Sequence, residues 1–163
     1  AYFETEQPEY LSLLRKYDDR MLSLPALYNL RKILERALNE HVWLKHGGYL
    51  VIQHTEALTV VDVNSGKDIS GKNTLASYLK INLEAAREIA RQMRLRNLSG
   101  IILIDFINLD DDEAMQTLLK EFRHYLSRDP IQATLVDVTG LQLVEVTRKK
   151  VRKPLYEYHI EQR

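Results

Sequence analysis

The sequence predicts an α/β domain with a layered, mixed β-sheet and packed helices. Three observations carry that reading. A long amphipathic helical pattern over residues 75–96 separates two β-rich stretches, 58–63 and 101–104. A second helical pattern, 111–126, follows the second stretch, and two further strand-like runs close the chain at 131–138 and 141–146. Helices alternating with strands, some joined by helical crossovers and some by tight turns, bury their apolar surfaces best as layers around one sheet.

The elements follow in order. Residues 1–24 read as a leading segment, with a short helix near 9–16. Leu27, Leu30, Ile33, Leu34, Ala37 and Leu38 recur at helical spacing, so 26–39 reads as one amphipathic helix with Pro25 in its first turn. A strand begins at 42–44, Gly47-Gly48 makes a turn, and 49–53 with 58–63 forms a hairpin. Residues 64–73 are polar and contain two glycines, a loop composition. In the helix 75–96, Leu79, Leu83, Ala86, Ile89, Ala90 and Met93 line one face. Ile101 to Ile104 is an unbroken apolar run that reads as a strand buried on both faces. The helix 111–126 opens with acidic residues, where the helix dipole favours them. The domain core is expected over 25–153 and a C-terminal tail over 154–163.

Composition narrows the function classes. The 163 residues suit one domain, and 45% hydrophobic with 28% charged residues is ordinary for a globular protein. No apolar run approaches the roughly 20 residues needed to cross a membrane, and no signal peptide is evident, so a cytoplasmic location is expected with no membrane partner. The absence of cysteine excludes disulfides and thiolate metal sites. The 23 basic and 23 acidic residues balance, which speaks against a dedicated nucleic-acid binder but not against an enzyme with an acidic metal site. Five scattered histidines show no zinc spacing. Gly66-Lys67 and Gly71-Lys72 lack the spacing of a phosphate-binding loop, so an NTPase is rejected.

Two aspartates stand in unusual positions. Asp62 interrupts a β-rich run, and strand alternation sets it on one face with Asn64 while Val61 and Val63 take the other. Asp105 ends the apolar run of residues 101–104. A carboxylate at the end of a buried strand is expensive to desolvate unless compensated. One alternative is a helix cap or turn former. The other is a shared cation: two adjacent strand ends would aim both carboxylates at one point, and magnesium needs only one or two of them.

Other side chains have two readings. Lys67 and Lys72 could steady a phosphate or simply solvate a loop. Arg87, Arg91 and Arg94 share a helix face and could track phosphates, or could pair with Glu84 and Glu88. Arg148 belongs to a basic run near the C-terminus. Tyr49, Phe106 and Tyr125 read as core, and His54, beside a turn, as exposed. Stacking on a base is the second reading for Phe106.

Residues 55–65, TEALTVVDVNS, together with 82–98, NLEAAREIARQMRLRNL, and 100–107, GIILIDFI, resemble the signatures of the ribonuclease E/G family. A weaker match is 140–149, GLQLVEVTRK, so the resemblance covers roughly residues 41–150 in order. It implies the DNase I-like catalytic subdomain of that family, a magnesium-dependent endoribonuclease core cleaving single-stranded RNA in processing and decay. It assigns Asp62 and Asp105 as Mg2+ ligands and Asn64 as their support, with the ion activating water for attack on the phosphodiester. Beside that resemblance, charge and placement make Lys67, Arg91, Arg94 and Arg148 the candidate RNA contacts. Ser99 stands where the family commonly has glycine and Asn108 where it commonly has aspartate.

Family members carry an S1 RNA-binding domain and a 5′-end sensing region ahead of this core, and many have a cysteine zinc link that joins subunits into a homo-oligomer. Without cysteine, this chain has no zinc link of its own. The chain is therefore expected to be an excised part of a longer enzyme. The alternative is a catalytically weak RNA-binding or assembly module.

Overall fold

The computed structural model describes residues 2–66 and 74–158. The chain forms two compact units, 1–36 and 37–163.

The first unit holds helix α1 (Tyr2–Glu6), a 3-10 turn (Pro8–Leu13), α2 (Leu24–Leu27) and most of α3 (Leu30–Leu38). The single helix expected over 26–39 is interrupted. Ser23 caps α2 by accepting from the Ala26 N–H at 3.4 Å, and α2 then stops at Tyr28. Asn29 adopts φ +52°, a left-handed conformation that asparagine tolerates and that no continuous right-handed helix allows. The apolar periodicity runs across this break, which is why the sequence hides it.

The second unit is built on six strands: β1 (His41–Trp43), β2 (Tyr49–His54), β3 (Leu58–Asn64), β4 (Gly100–Asp105), β5 (Ala133–Val138) and β6 (Val144–Arg148). They form one mixed sheet in the order β1-β2-β3-β4-β6-β5. All neighbours pair antiparallel except β3 and β4, which are parallel and joined through α4 (Thr74–Leu95). Helix α5 (Asp112–Leu126) connects β4 to β5. Its start is fixed by Asp111, whose carboxylate accepts the Ala114 N–H at 2.7 Å.

Both long helices pack on the same face of the sheet. Leu50, Ile52, Val61, Val63, Ile102, Ile104, Val144 and Val146 meet Ile81, Ala85, Ile89 and Met93 of α4 and Leu118 and Phe122 of α5 in one core cluster. Residues at alternate positions on the strands look out from the other face. Ile101 is accordingly 50% exposed and Leu103 half-buried, so the apolar run of β4 is covered on one side only. Tyr49 also points to this open face rather than into the core, whereas Phe106 and Tyr125 pack with the core. His54 is not exposed: it is half-buried, stacks on Tyr156 with centroids 3.9 Å apart and bonds the Thr59 hydroxyl. Among the described residues no helix is long and apolar enough to cross a membrane.

Candidate metal centre

Strand β3 alternates strictly. Val61 and Val63 enter the core, and Asp62 and Asn64 emerge on the open face. On β4, Ile102 and Ile104 enter the core and Asp105 emerges as the last residue of the strand. The parallel register makes Asp62 and Asp105 direct neighbours. Directly opposed residues on adjacent strands share a face, so both carboxylates project from one row into solvent.

One asparagine bonds Asp62 directly, and another clamps the backbone two residues after Asp105. The Asn64 amide donates to Asp62 Oδ2 at 2.7 Å and orients that carboxylate. Behind Asp105 the chain is clamped by Asn82 of α4, which is fully buried. Its Nδ2 donates to the Ile107 carbonyl at 2.7 Å, and its Oδ1 accepts the Ile107 N–H at 3.0 Å. Phe106 anchors the same segment, edge-on to Phe122 at 5.8 Å. Sequence reasoning missed Asn82, although a polar residue on the apolar face of a helix was its signal. Gly48 adds a constraint on the β1–β2 turn: a Cβ there would lie 2.7 Å from the Asn64 carbonyl oxygen, so only glycine allows this approach.

Partial burial and the negative charge of Asp62 together raise the pKa of the Asp105 carboxyl above its ordinary value. Two like charges in one row with a supporting amide form a hard-oxygen donor set. That set suits a magnesium ion, which keeps much of its water and accepts one or two carboxylates. Among the described residues no group of three or more His, Cys, Asp or Glu comes together. A cleft of about 340 Å³ opens beside Asp105, lined by Phe106, Asn108 and the turn residues Gly140, Leu141 and Gln142. In the sequence that turn shows through Gly140, between two strand-like runs, and through the weakest signature.

Among the described residues, the candidate RNA contacts are not brought to this centre. Lys67 and Lys72 lie outside the described residues. Arg91 and Arg94 belong to α4, on the covered side of the sheet. Arg91 is engaged by Glu88, Nη2 to Oε1 at 2.7 Å, so the ion-pair reading holds for it. Arg94 lines a groove of about 650 Å³ with Arg87, Arg128 and Lys45. Arg148, expected on a basic surface run, is buried instead: its guanidinium forks onto Asp129 at 2.8 and 3.2 Å and donates to Asn97 Oδ1 and the Leu98 carbonyl. Its charge is spent on the fold, and it is no RNA contact.

Known proteins resemble this chain over most of its length. The family model described as "Ribonuclease E/G family" matches residues 1–151. Ribonuclease G of Escherichia coli is 39% identical over 148 residues, 91% of this chain and 30% of its own length. Ribonuclease E of Synechocystis sp. is 43% identical over 136 residues, 83% of this chain and 20% of its own. Ribonuclease G of Haemophilus influenzae is 40% identical over 129 residues. The chain thus spans less than a third of the length of these relatives.

Proposed function

Because the chain belongs to the ribonuclease E/G family, we propose that it is the catalytic core of a Mg2+-dependent endoribonuclease acting on single-stranded RNA, with Asp62 and Asp105 as metal ligands. The observation that carries this reading is the direct opposition of the two aspartates across β3 and β4 on an open face. A bound Mg2+ would supply Lewis-acid chemistry, neutralising charge on the scissile phosphate and activating water.

The chain's own residues set the geometry. Asp62 is oriented by Asn64, and Asp105 is positioned by the Asn82 clamp on Ile107. Both carboxylates face solvent, which leaves room for water and a phosphate oxygen. No side chain of this protein is required as a covalent nucleophile. Arg94, with Arg87 and Arg128, would hold phosphates of a strand passing along the helical side, in a groove that Glu84 and Glu88 also line. That arginine-rich groove favours a second reading, an RNA-binding or assembly module in which the grip persists and cleavage is weak.

The test is cleavage of a short single-stranded RNA with Mg2+ or with chelator, alongside binding of the same RNA. Mg2+-dependent cleavage that disappears in Asp62→Asn and Asp105→Asn is the expected result. Tight binding by a well-folded protein with no cleavage at any Mg2+ concentration would sink the catalytic reading in favour of the module.

A further inference from the structure

Beside the aspartates, the open face of the sheet carries a group of aromatic rings. β1 is an edge strand of three residues. Val42 packs against the core, so His41 and Trp43 stand on the open face. Trp43 is 74% exposed. Its ring lies 5.1 Å from that of Tyr49 at 51°, and the His41 ring lies 5.8 Å from Tyr49 at 31°. The register ties these rings to the metal centre. Trp43 is opposite Tyr49, which is opposite Asn64. His41, Val51, Asp62 and Asp105 form one row across four strands. With neighbouring strands roughly 5 Å apart, the aromatic rings begin roughly 5 to 10 Å from Asp62.

An indole is the side chain with most to gain from burial, yet this one faces water on the surface that carries the carboxylates. We propose that Trp43, supported by Tyr49 and His41, is a stacking platform for an unpaired base of the RNA strand whose phosphate lies at Asp62 and Asp105. The inference rests on the endoribonuclease reading and extends it to how the substrate is held. A strand entering this site carries its π-faces and its phosphates as neighbours, and the protein offers an aromatic face and a cation site as neighbours. Stacking tolerates any base, because every base has a π-face. It rejects duplex, whose bases are already stacked on one another. The platform therefore selects for single-stranded character rather than for sequence.

Trp43 is the chain's only tryptophan and also borders the groove lined by Arg94, so its fluorescence reports on strand bound at either place, and dependence on the bases singles out stacking. The chain is titrated, without Mg2+, with a short single-stranded RNA, with the same strand lacking its bases, and with a hairpin duplex. Saturable quenching by the single strand, and not by the other two, is expected. Binding measured by anisotropy of a labelled strand should weaken roughly 5-fold or more in Trp43→Ala and much less in Trp43→Phe. The proposal is overturned if quenching is absent, if the abasic strand or duplex quenches equally, or if emission changes only with protein concentration, as when copies of the chain cover the face. Mg2+-dependent cleavage is followed in parallel. Cleavage that is intact in Trp43→Ala, with no quenching in the parent chain, overturns the platform and leaves the ribonuclease reading standing. Base-dependent quenching without cleavage supports the platform and removes the ribonuclease reading.

Discussion

Asp62 and Asp105 are direct register partners in the one parallel strand pair of the sheet, so two carboxylates face the same solvent with only each other as charged neighbours in the row. Their repulsion is a property of the metal-free fold, and burial together with Asp62 holds the Asp105 pKa above its ordinary value. A carboxyl raised in the folded state contributes most at low pH, and its contribution is lost as pH rises through the ordinary carboxylate range. Asp105→Asn removes that penalty. Its melting temperature at neutral pH without Mg2+ should equal or exceed that of the parent, while Mg2+ affinity collapses and cleavage falls by about 100-fold or more. Thermal melts and magnesium titration on one preparation decide the matter: a variant that melts early would mean that Asp105 braces the fold.

Asn82 gives a separate handle on the same carboxylate. It touches no solvent, and both its amide atoms are committed to the Ile107 backbone. Asn82→Ala leaves a buried N–H and a buried C=O without partners, each worth roughly 1–3 kcal/mol. The variant should lose stability on that scale. In the fraction that remains folded it should bind Mg2+ about 10-fold more weakly, because the backbone after Asp105 is no longer held. Unchanged Mg2+ affinity in a destabilised variant would confine Asn82 to a purely structural role.

Asn64 differs in that it acts at the surface. Asn64→Ala removes the donor to Asp62 Oδ2 without opening the core. Stability should change little, and Mg2+ affinity or cleavage should fall about 10- to 100-fold, the usual consequence of freeing a ligand from its support. A metal titration matching that of the parent would show that Asp62 is oriented adequately by the strand alone.

These pairs also mark what the sequence made legible. β3 and β4 were readable because alternation and an apolar run are local signals, and both aspartates stood out against them. What lay outside local pattern was which faces the helices would cover. Ile101 and Tyr49 read as buried by composition, but α4 and α5 share one side of the sheet and leave the other open. Arg148 read as part of a solvated basic run because its partners, Asp129 and Asn97, are distant in sequence. His54 read as exposed because Tyr156, which stacks on it, lies about a hundred residues further on. The helix break at Asn29 escaped because a single left-handed residue leaves the apolar period undisturbed on either side.

The Arg148–Asp129 pair is almost completely removed from water on both sides. Removing one partner of such a pair strands a buried charge, which costs about 3–5 kcal/mol. Arg148→Met should therefore destabilise the domain on that scale. RNA affinity per folded molecule should not change, because the guanidinium never reaches the surface. Denaturant unfolding with RNA binding measured well below the unfolding midpoint separates the two. A stable variant with weakened RNA binding would return Arg148 to the substrate surface.

His54 links the sheet to the C-terminal segment through its stack on Tyr156 and its bond to Thr59. Burial lowers its pKa, and the nearby Arg96 charge lowers it further, against a smaller opposing pull from Glu40. A histidine depressed in the folded state contributes stability that is present above its ordinary value of 6.5 and is lost as pH falls below it, because the unfolded chain then binds the proton more readily. The melting temperature should therefore drop between neutral pH and about pH 5.5. His54→Gln cannot take up the proton, so its melting temperature should vary less over that interval, even though losing the stack on Tyr156 lowers it at pH 8. Subtracting the variant's profile from the parent's isolates the part of the pH dependence that belongs to His54. Parallel pH profiles for the two proteins would show that His54 titrates alike in the folded and unfolded chain. In that case its contact with Tyr156 would be insensitive to protonation.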